Sequence, residues 1–434
     1  MKKLCCGAFV AVLLLMCLSL SVGLLVFGPS QAGANEQLSD LPSIKTEEGW
    51  NLDYLSQLQA YINDRFFLRQ ELISLEHKLW AFADKAESGV LLGKEGWLFF
   101  EDTLADYTDT DPMTERQLFS AQRNLELMAQ YCKEQGKTFA FMIAPNKNSL
   151  YGQFMESYGE QGESSNAKRL MARLESAGVP TVDMLSAFSQ EKEILYFAHD
   201  SHWNSKGAAL GADLINAAFG VESDYYSGDF SQTQPHAGDL YAMLYPAFQD
   251  PETDPVYGGK LNYTFTSKAT RPDAIVLTTE GKGSGSLLAY RDSFGMLLFP
   301  YLADSYAQAK FSRSNTYDLT GEEDYILVEL VERNLSYLYE NLPILPAPAR
   351  QIQLPEKAVG ELSVETQNRS GLTQITGQLP QIDADSPIYA VSNGTVYEAF
   401  CLADGGFGLS LPKDARVEAV LCRIDGNMKM YNIK

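Results

Sequence analysis

Between residues 91 and 345, short apolar runs alternate with stretches of helical spacing, and that alternation limits the fold more than any other feature of the chain. "TFAFMIA" (138–144) stops at Pro145, "VPTVDML" carries a second short run, and "DAIVLTT", "SLLAYRDSF" and "EDYILVELVERN" supply three more. Between them, residues 114–135, 165–177 and 205–219 place apolar side chains at helical intervals. Apolar strands separated by helices predict a mostly parallel sheet flanked by helices, an α/β architecture.

The flanks differ in pattern. Lys2 and Lys3 precede an apolar run from about Ala8 to Phe27, and Ala32 and Ala34 follow at signal-peptidase spacing. Residues 1–34 therefore read as a signal peptide or an uncleaved signal anchor, because the run is close to the length that spans a bilayer. Both alternatives put the rest of the chain outside the cytoplasm. Residues 35–90 form a helical N-terminal region, with helix expected from Leu52 to about Ala86, and "SGVLLGKEGWLFFED" reads as a hairpin. Four prolines between Pro343 and Pro355 mark a boundary. Beyond it, 355–434 alternates apolar and polar residues between Gly, Asn and Asp turns, the pattern of a small C-terminal all-β domain. Its Cys401 and Cys422 either pair in an oxidising compartment or remain separate buried thiols.

At 434 residues the chain exceeds what one compact core usually holds, so two or more domains are expected. Its net charge of −22 excludes sequence-independent binding to nucleic acid, which needs Lys and Arg on phosphates. No CxxC pair or zinc spacing occurs.

Only four histidines are present, and two fall in "YFAHDSHWNSKGAALGADLI" (196–215). Asp200 and His202 are two positions apart, so in an extended segment they face the same way. Ser205 offers an N-cap for the helix that follows. Ser293 sits where the strand of "SLLAYRDSFGMLLFPYLADSY" turns into helical spacing, at the end of the sheet where open α/β proteins place their sites. Such a turn exposes a serine oxygen beside free backbone N–H groups. The plain alternative is that Asp292 or Ser293 only caps the helix. A metal site is the other alternative: His199, His202, Asp200, His236 and Asp239 contain enough ligands. Histidines three apart on an extended segment face opposite sides, however, so the metal reading is set aside and His199 is read as structural. Trp203 is expected to pack beside His202.

"HDSHWN" followed by "YRDSFG" resembles the SGNH-hydrolase-like proteins that O-acetylate exopolysaccharides, the alginate O-acetylation family and its DHHW-type relatives. "GWLFF" (96–100), "APNKNSLYG" (144–152), "GDL" (238–240) and "LVELVERN" (327–334) resemble the family's supporting segments in the same order. The likeness implies an SGNH-hydrolase-like fold over 91–345. It also implies a triad of Asp200 as orienting acid, His202 as base and Ser293 as nucleophile. Ser201 stands where the DHHW name has its first histidine, and Arg291 where many SGNH proteins have glycine. Arg291, Lys147, Asn148 and Tyr151 are candidates for oxyanion or substrate contacts. The resemblance implies acyl transfer, usually of acetyl, to a polysaccharide acceptor, without a cofactor, and a membrane-bound acyltransferase as acetyl supplier. With water as acceptor the same triad is an esterase. A non-catalytic glycan-binding surface protein is the remaining alternative.

Overall fold

The computed structural model describes residue 10 and residues 22–24, 26–30, 38–46, 49–81 and 89–434. Most of the expected leader, and the end of the expected N-terminal helix from residue 82, lie outside the described residues. Among the described residues, no helix is long and apolar enough to cross a membrane. The chain divides into two compact units. One comprises the described residues up to Glu101 together with Phe197–Ser201 and Gln234–Thr253; the other comprises Asp102–Tyr196, His202–Thr233 and Asp254–Lys434.

The larger unit contains a seven-stranded sheet. In chain order its strands are β1 (Thr138–Ala144), β2 (Thr181–Val182), β3 (Tyr263–Phe265), β4 (Val276–Gly281), β5 (Ser286–Tyr290), β6 (Gln308–Ser312) and β7 (Tyr325–Val331). Across the sheet the order is β2-β1-β7-β5-β6-β4-β3. The first five are parallel to one another, and β4 and β3 add antiparallel pairs at one edge. The α/β class expected from the alternation is the one observed.

Side-chain alternation along β1 shows why the sheet is buried twice. Ala140, Met142 and Ala144 join a core with α3 (Ser205–Phe219) and α4 (Gly295–Ser305), including Ala208, Ala212, Leu298 and Leu302. Phe139, Phe141 and Ile143 point the other way, into a core with α1 (Glu115–Glu134) and α2 (Asn166–Ala177) through Leu125, Met128, Leu170 and Leu174. Each period-two strand thus feeds two apolar layers. Thr114 starts α1 with a full capping box, its side chain accepting from the Gln117 N–H while Gln117 reaches back. Asn204, not Ser205, caps α3: its Oδ1 accepts from the Lys206 and Gly207 N–H groups at 3.0 and 3.1 Å. The Ser205 N–H and hydroxyl instead go to the Asp254 carboxylate, at 3.0 and 2.6 Å.

The C-terminal strands, Gly360–Leu362 to Asn427–Ile433, form one sheet of nine together with Ala349–Arg350. It packs on α1. Asn124 exchanges two hydrogen bonds with the Cys401 backbone, at 2.8 and 2.9 Å. Buried Glu398 takes Arg123 in a two-pronged pair, at 2.6 and 2.8 Å, and Arg350 at 2.6 Å. Cys401 and Cys422 are separate buried thiols.

In the smaller unit the expected N-terminal helix is broken in two, Tyr54–Arg65 and Arg69–Ala81. The break falls at Leu68, a leucine held at φ 63. The expected hairpin pairs Val90–Leu92 with Leu98–Phe100 in antiparallel register. Its turn places Glu95 and Gly96 in the left-handed region.

Candidate active site

Strands β1, β5 and β7 run parallel and end at the same edge of the sheet, so the turns that follow them gather there. Ser293 lies on the turn after β5 and His202 on the segment before α3. The His202 Nε2 and Ser293 Oγ are 2.8 Å apart, a hydrogen bond in the range a nucleophile–base contact requires. The His202 ring also rests on Phe294, with centroids 4.8 Å apart. Trp203 is fully buried and donates its Nε1–H to the Phe294 carbonyl at 3.1 Å. The indole therefore packs beside His202 as the sequence suggests, and it also ties the histidine segment to the serine turn.

The serine turn is held from beneath. Asp292 accepts from the Phe294 N–H at 2.9 Å, and its second oxygen accepts from the Val331 N–H and the Asn334 side-chain amide, each at 2.8 Å. Asp292 thus does cap the turn, and it does so while Ser293 faces His202. The Ser293 N–H meets no acceptor among the described residues, which leaves a backbone donor beside the serine oxygen. A Cβ at Gly295 would lie 2.4 Å from the Arg291 side chain, so this position needs glycine for Arg291 to fold under the turn.

Asp200 is held within the smaller unit. Its Oδ2 lies 2.8 Å from His236 Nε2 and accepts from the Asp239 N–H at 3.0 Å. His236 stacks flat on Phe197, 3.9 Å between centroids and 6° between planes. Asp239 accepts from the Ser201 N–H and hydroxyl, at 2.7 and 2.6 Å. Glu252 accepts from the Ala198 and His199 N–H groups, both at 2.7 Å. A Cβ on Gly238 would come within 2.1 Å of the His199 carbonyl oxygen, so only glycine lets these segments approach. His199 itself faces Tyr241, at 5.3 Å, and the Asp250 carbonyl, at 3.4 Å. His236, weighed in the sequence as a metal ligand, and Asp239, weighed so and also part of the "GDL" segment, are hydrogen-bond partners of Asp200 and Ser201. Glu252 had no sequence signal, because its partners lie about fifty residues upstream.

Arg291 is buried, donates from Nη2 to the Pro272 carbonyl at 2.6 Å and from Nη1 to the Asp292 carbonyl at 3.3 Å. Burial pushes its guanidinium down to about 10, partly offset by Glu329. Lys147 and Asn148 are buried in a single helical turn after β1, and Asn148 donates to the Thr103 hydroxyl at 2.8 Å. The Tyr151 hydroxyl accepts from the Leu195 N–H at 2.8 Å, bracing the approach to the histidine segment. Nearby, Glu332 follows β7 and accepts from the Asn146 N–H at 2.9 Å and from the Ser149 hydroxyl. Burial, reinforced by Asp106, pushes its carboxyl up to about 7. Glu332 lines two cavities of about 440 and 300 Å³.

A serine on a strand-to-helix turn, hydrogen-bonded to a histidine at the C-terminal edge of a parallel sheet, is the arrangement of an α/β acyl-transfer or ester-cleaving protein. More narrowly, residues 90–274 match the family model described as the SGNH hydrolase-like domain of acetyltransferase AlgX. The matched segment holds Asp200 and His202 and stops short of Ser293. Solved structures with similarity include Bacillus cereus PatB1 with a sulfonyl adduct, at 18% identity over 57% of this chain and 94% of that one, TM-score 0.43. A DHHW family protein from Eubacterium siraeum is 17% identical over 52% and 90%, TM-score 0.41. The O-acetyltransferase domain of Pseudomonas putida AlgJ is 17% identical over 58% and 93%, TM-score 0.37. No curated protein matches the chain.

Proposed function

We propose that this protein is an extracytoplasmic, serine-dependent O-acetyltransferase acting on a cell-surface or secreted polysaccharide. The observation that carries the reading is the 2.8 Å contact between His202 Nε2 and Ser293 Oγ. In the proposed reaction His202 takes the Ser293 proton as Oγ attacks the acetyl carbonyl carbon. The negative oxygen of the tetrahedral intermediate is met by the Ser293 N–H. Collapse breaks the bond to the leaving group, which takes the proton from His202 and leaves acetyl-Ser293. An acceptor hydroxyl then gives its proton to His202 and attacks the acetyl carbon. Collapse breaks the bond to Ser293 Oγ, which takes the proton from His202, leaving an acetylated glycan and free Ser293. Asp200 is assigned the orienting role by its place in the D-x-H-W sequence, with His236 and Asp239 holding its carboxylate. The acetyl group is proposed to come from a membrane-bound acyltransferase. With water in place of the acceptor, the same steps describe an esterase.

The test offers an acetyl ester to the purified protein with and without oligosaccharide acceptors. A transferase shifts product from acetate to acetylated glycan as acceptor rises, and Ser293→Ala stops both. Release of acetate alone, unaffected by every acceptor tried, would replace transferase by esterase.

A further inference from the structure

Beneath the serine turn lies a second carboxyl that the proposed reaction does not use. Glu329 sits on β7, fully buried, beside the end of β5, where Tyr290 pairs with Val328. Its Oε2 accepts from the Asp292 N–H at 3.0 Å, and its Oε1 meets no partner among the described residues. Among the described residues, no cation neutralises it through a hydrogen bond. The Arg291 amines donate to the carbonyls of Pro272, Ala274 and Asp292, and Arg291 Nε is itself buried without a partner. The Asp292 side chain lies within hydrogen-bond reach of the Glu329 carboxyl once one of the two is protonated, and the donors of the two acids are shared unequally. Asp292 has the Phe294, Val331 and Asn334 donors, whereas Glu329 has one backbone N–H. When buried acids compete in this way, the one with more donors ionises and the other keeps its proton.

We propose that Glu329 is a positioning residue for the nucleophile: as a neutral carboxyl it accepts from the Asp292 N–H, donates its proton to the Asp292 carboxylate, and so sets the turn from which Ser293 projects. The inference rests on reading Ser293 as nucleophile. Burial pushes the Glu329 carboxyl well above the usual range, and Asp292 pushes it further by charge and by accepting from the protonated form. The other groups facing it are Arg291 at the end of β5, Tyr317 beyond β6 and Tyr196 before α3. Burial pushes both phenols up, so both stay neutral below the ordinary phenol range.

Glu329→Gln keeps the shape and both hydrogen bonds, an oxygen to accept and an N–H to donate, without a titrating proton. On p-nitrophenyl acetate, E329Q should hold turnover within an order of magnitude of wild type, while E329A, which frees the turn, should lose about 10²-fold. Wild-type turnover should fall at the alkaline end as Glu329 ionises, and E329Q should lack that fall. Infrared spectra of the full chain at pH 8 should contain a protonated-carboxyl band that E329Q removes and S293A retains. Loss in E329Q as large as in E329A, with both folded by thermal melt, would overturn the proposal. So would a protonated-carboxyl band that E329Q leaves unchanged. Should E329A fail to fold, the comparison of E329Q with wild type decides alone. The infrared arm reports on Glu329 even where S293A shows that the nucleophile has been misassigned.

Discussion

Glu332→Gln should stabilise this protein at pH 8 and leave it nearly unchanged at pH 4. An unfolded glutamate ionises near 4.5, and burial beside Asp106 pushes folded Glu332 up to about 7. Below 4.5 both states hold the proton, so Glu332 makes no difference to the balance. As pH rises from 4.5 to 7 the unfolded chain releases its proton while the folded chain retains it, and stability falls. Above 7 both are ionised and the loss is complete. Each pH unit in that window removes about 1.4 kcal/mol, so the full loss is about 3 kcal/mol. Glutamine cannot titrate, and its carbonyl can still accept from the Asn146 N–H and the Ser149 hydroxyl. For a unit of roughly 300 residues, about 3 kcal/mol corresponds to a rise of about 5 °C in Tm. The assay is a pair of thermal melts, wild type and E332Q, across pH 4 to 8. A difference that does not change with pH, or a less stable E332Q at pH 8, would show that Glu332 is ionised at no such cost in the fold.

Glu398→Ala should lower the stability of the larger unit by about 3–5 kcal/mol, because it leaves Arg123 and Arg350 half-buried without their shared carboxylate. Urea unfolding would measure it, and a loss below about 1 kcal/mol would mean that the two guanidiniums are solvated. His236→Ala should slow turnover of p-nitrophenyl acetate by about tenfold or more, since it removes the 2.8 Å partner of Asp200. His199→Ala should change it little, because its ring faces Tyr241 and Asp250; equal losses in the two variants would contradict this division of roles.

The features legible in the sequence were those with a local cause. β5 begins and ends where its apolar run does, and the helices Glu115–Glu134 and Asn166–Ala177 lie where the helical spacing does. The His202 segment and the Ser293 turn were each visible as a short motif at the end of a run. What escaped has no local signal. Asp292 is held by Val331 and Asn334, some forty residues downstream, and that meeting is created by the parallel pairing of β5 with β7. His236 reaches Asp200 across 36 positions, so its type was visible and its partner was not. Asn204 takes the cap from Ser205 because Asp254, from a distant segment, claims the serine N–H and hydroxyl. The break at Leu68 lies in "DRFFLRQEL", which has no glycine or proline to announce it.

The central claim is that Ser293 carries the acyl group, and mass spectrometry tests it most directly. The protein is mixed with p-nitrophenyl acetate, quenched in acid during turnover and digested. The account predicts a single acetyl group on the peptide containing Ser293, removed by hydroxylamine and absent from Ser293→Ala, whose turnover is lost. An acetyl group confined to another residue, or wild-type turnover by Ser293→Ala, would contradict it.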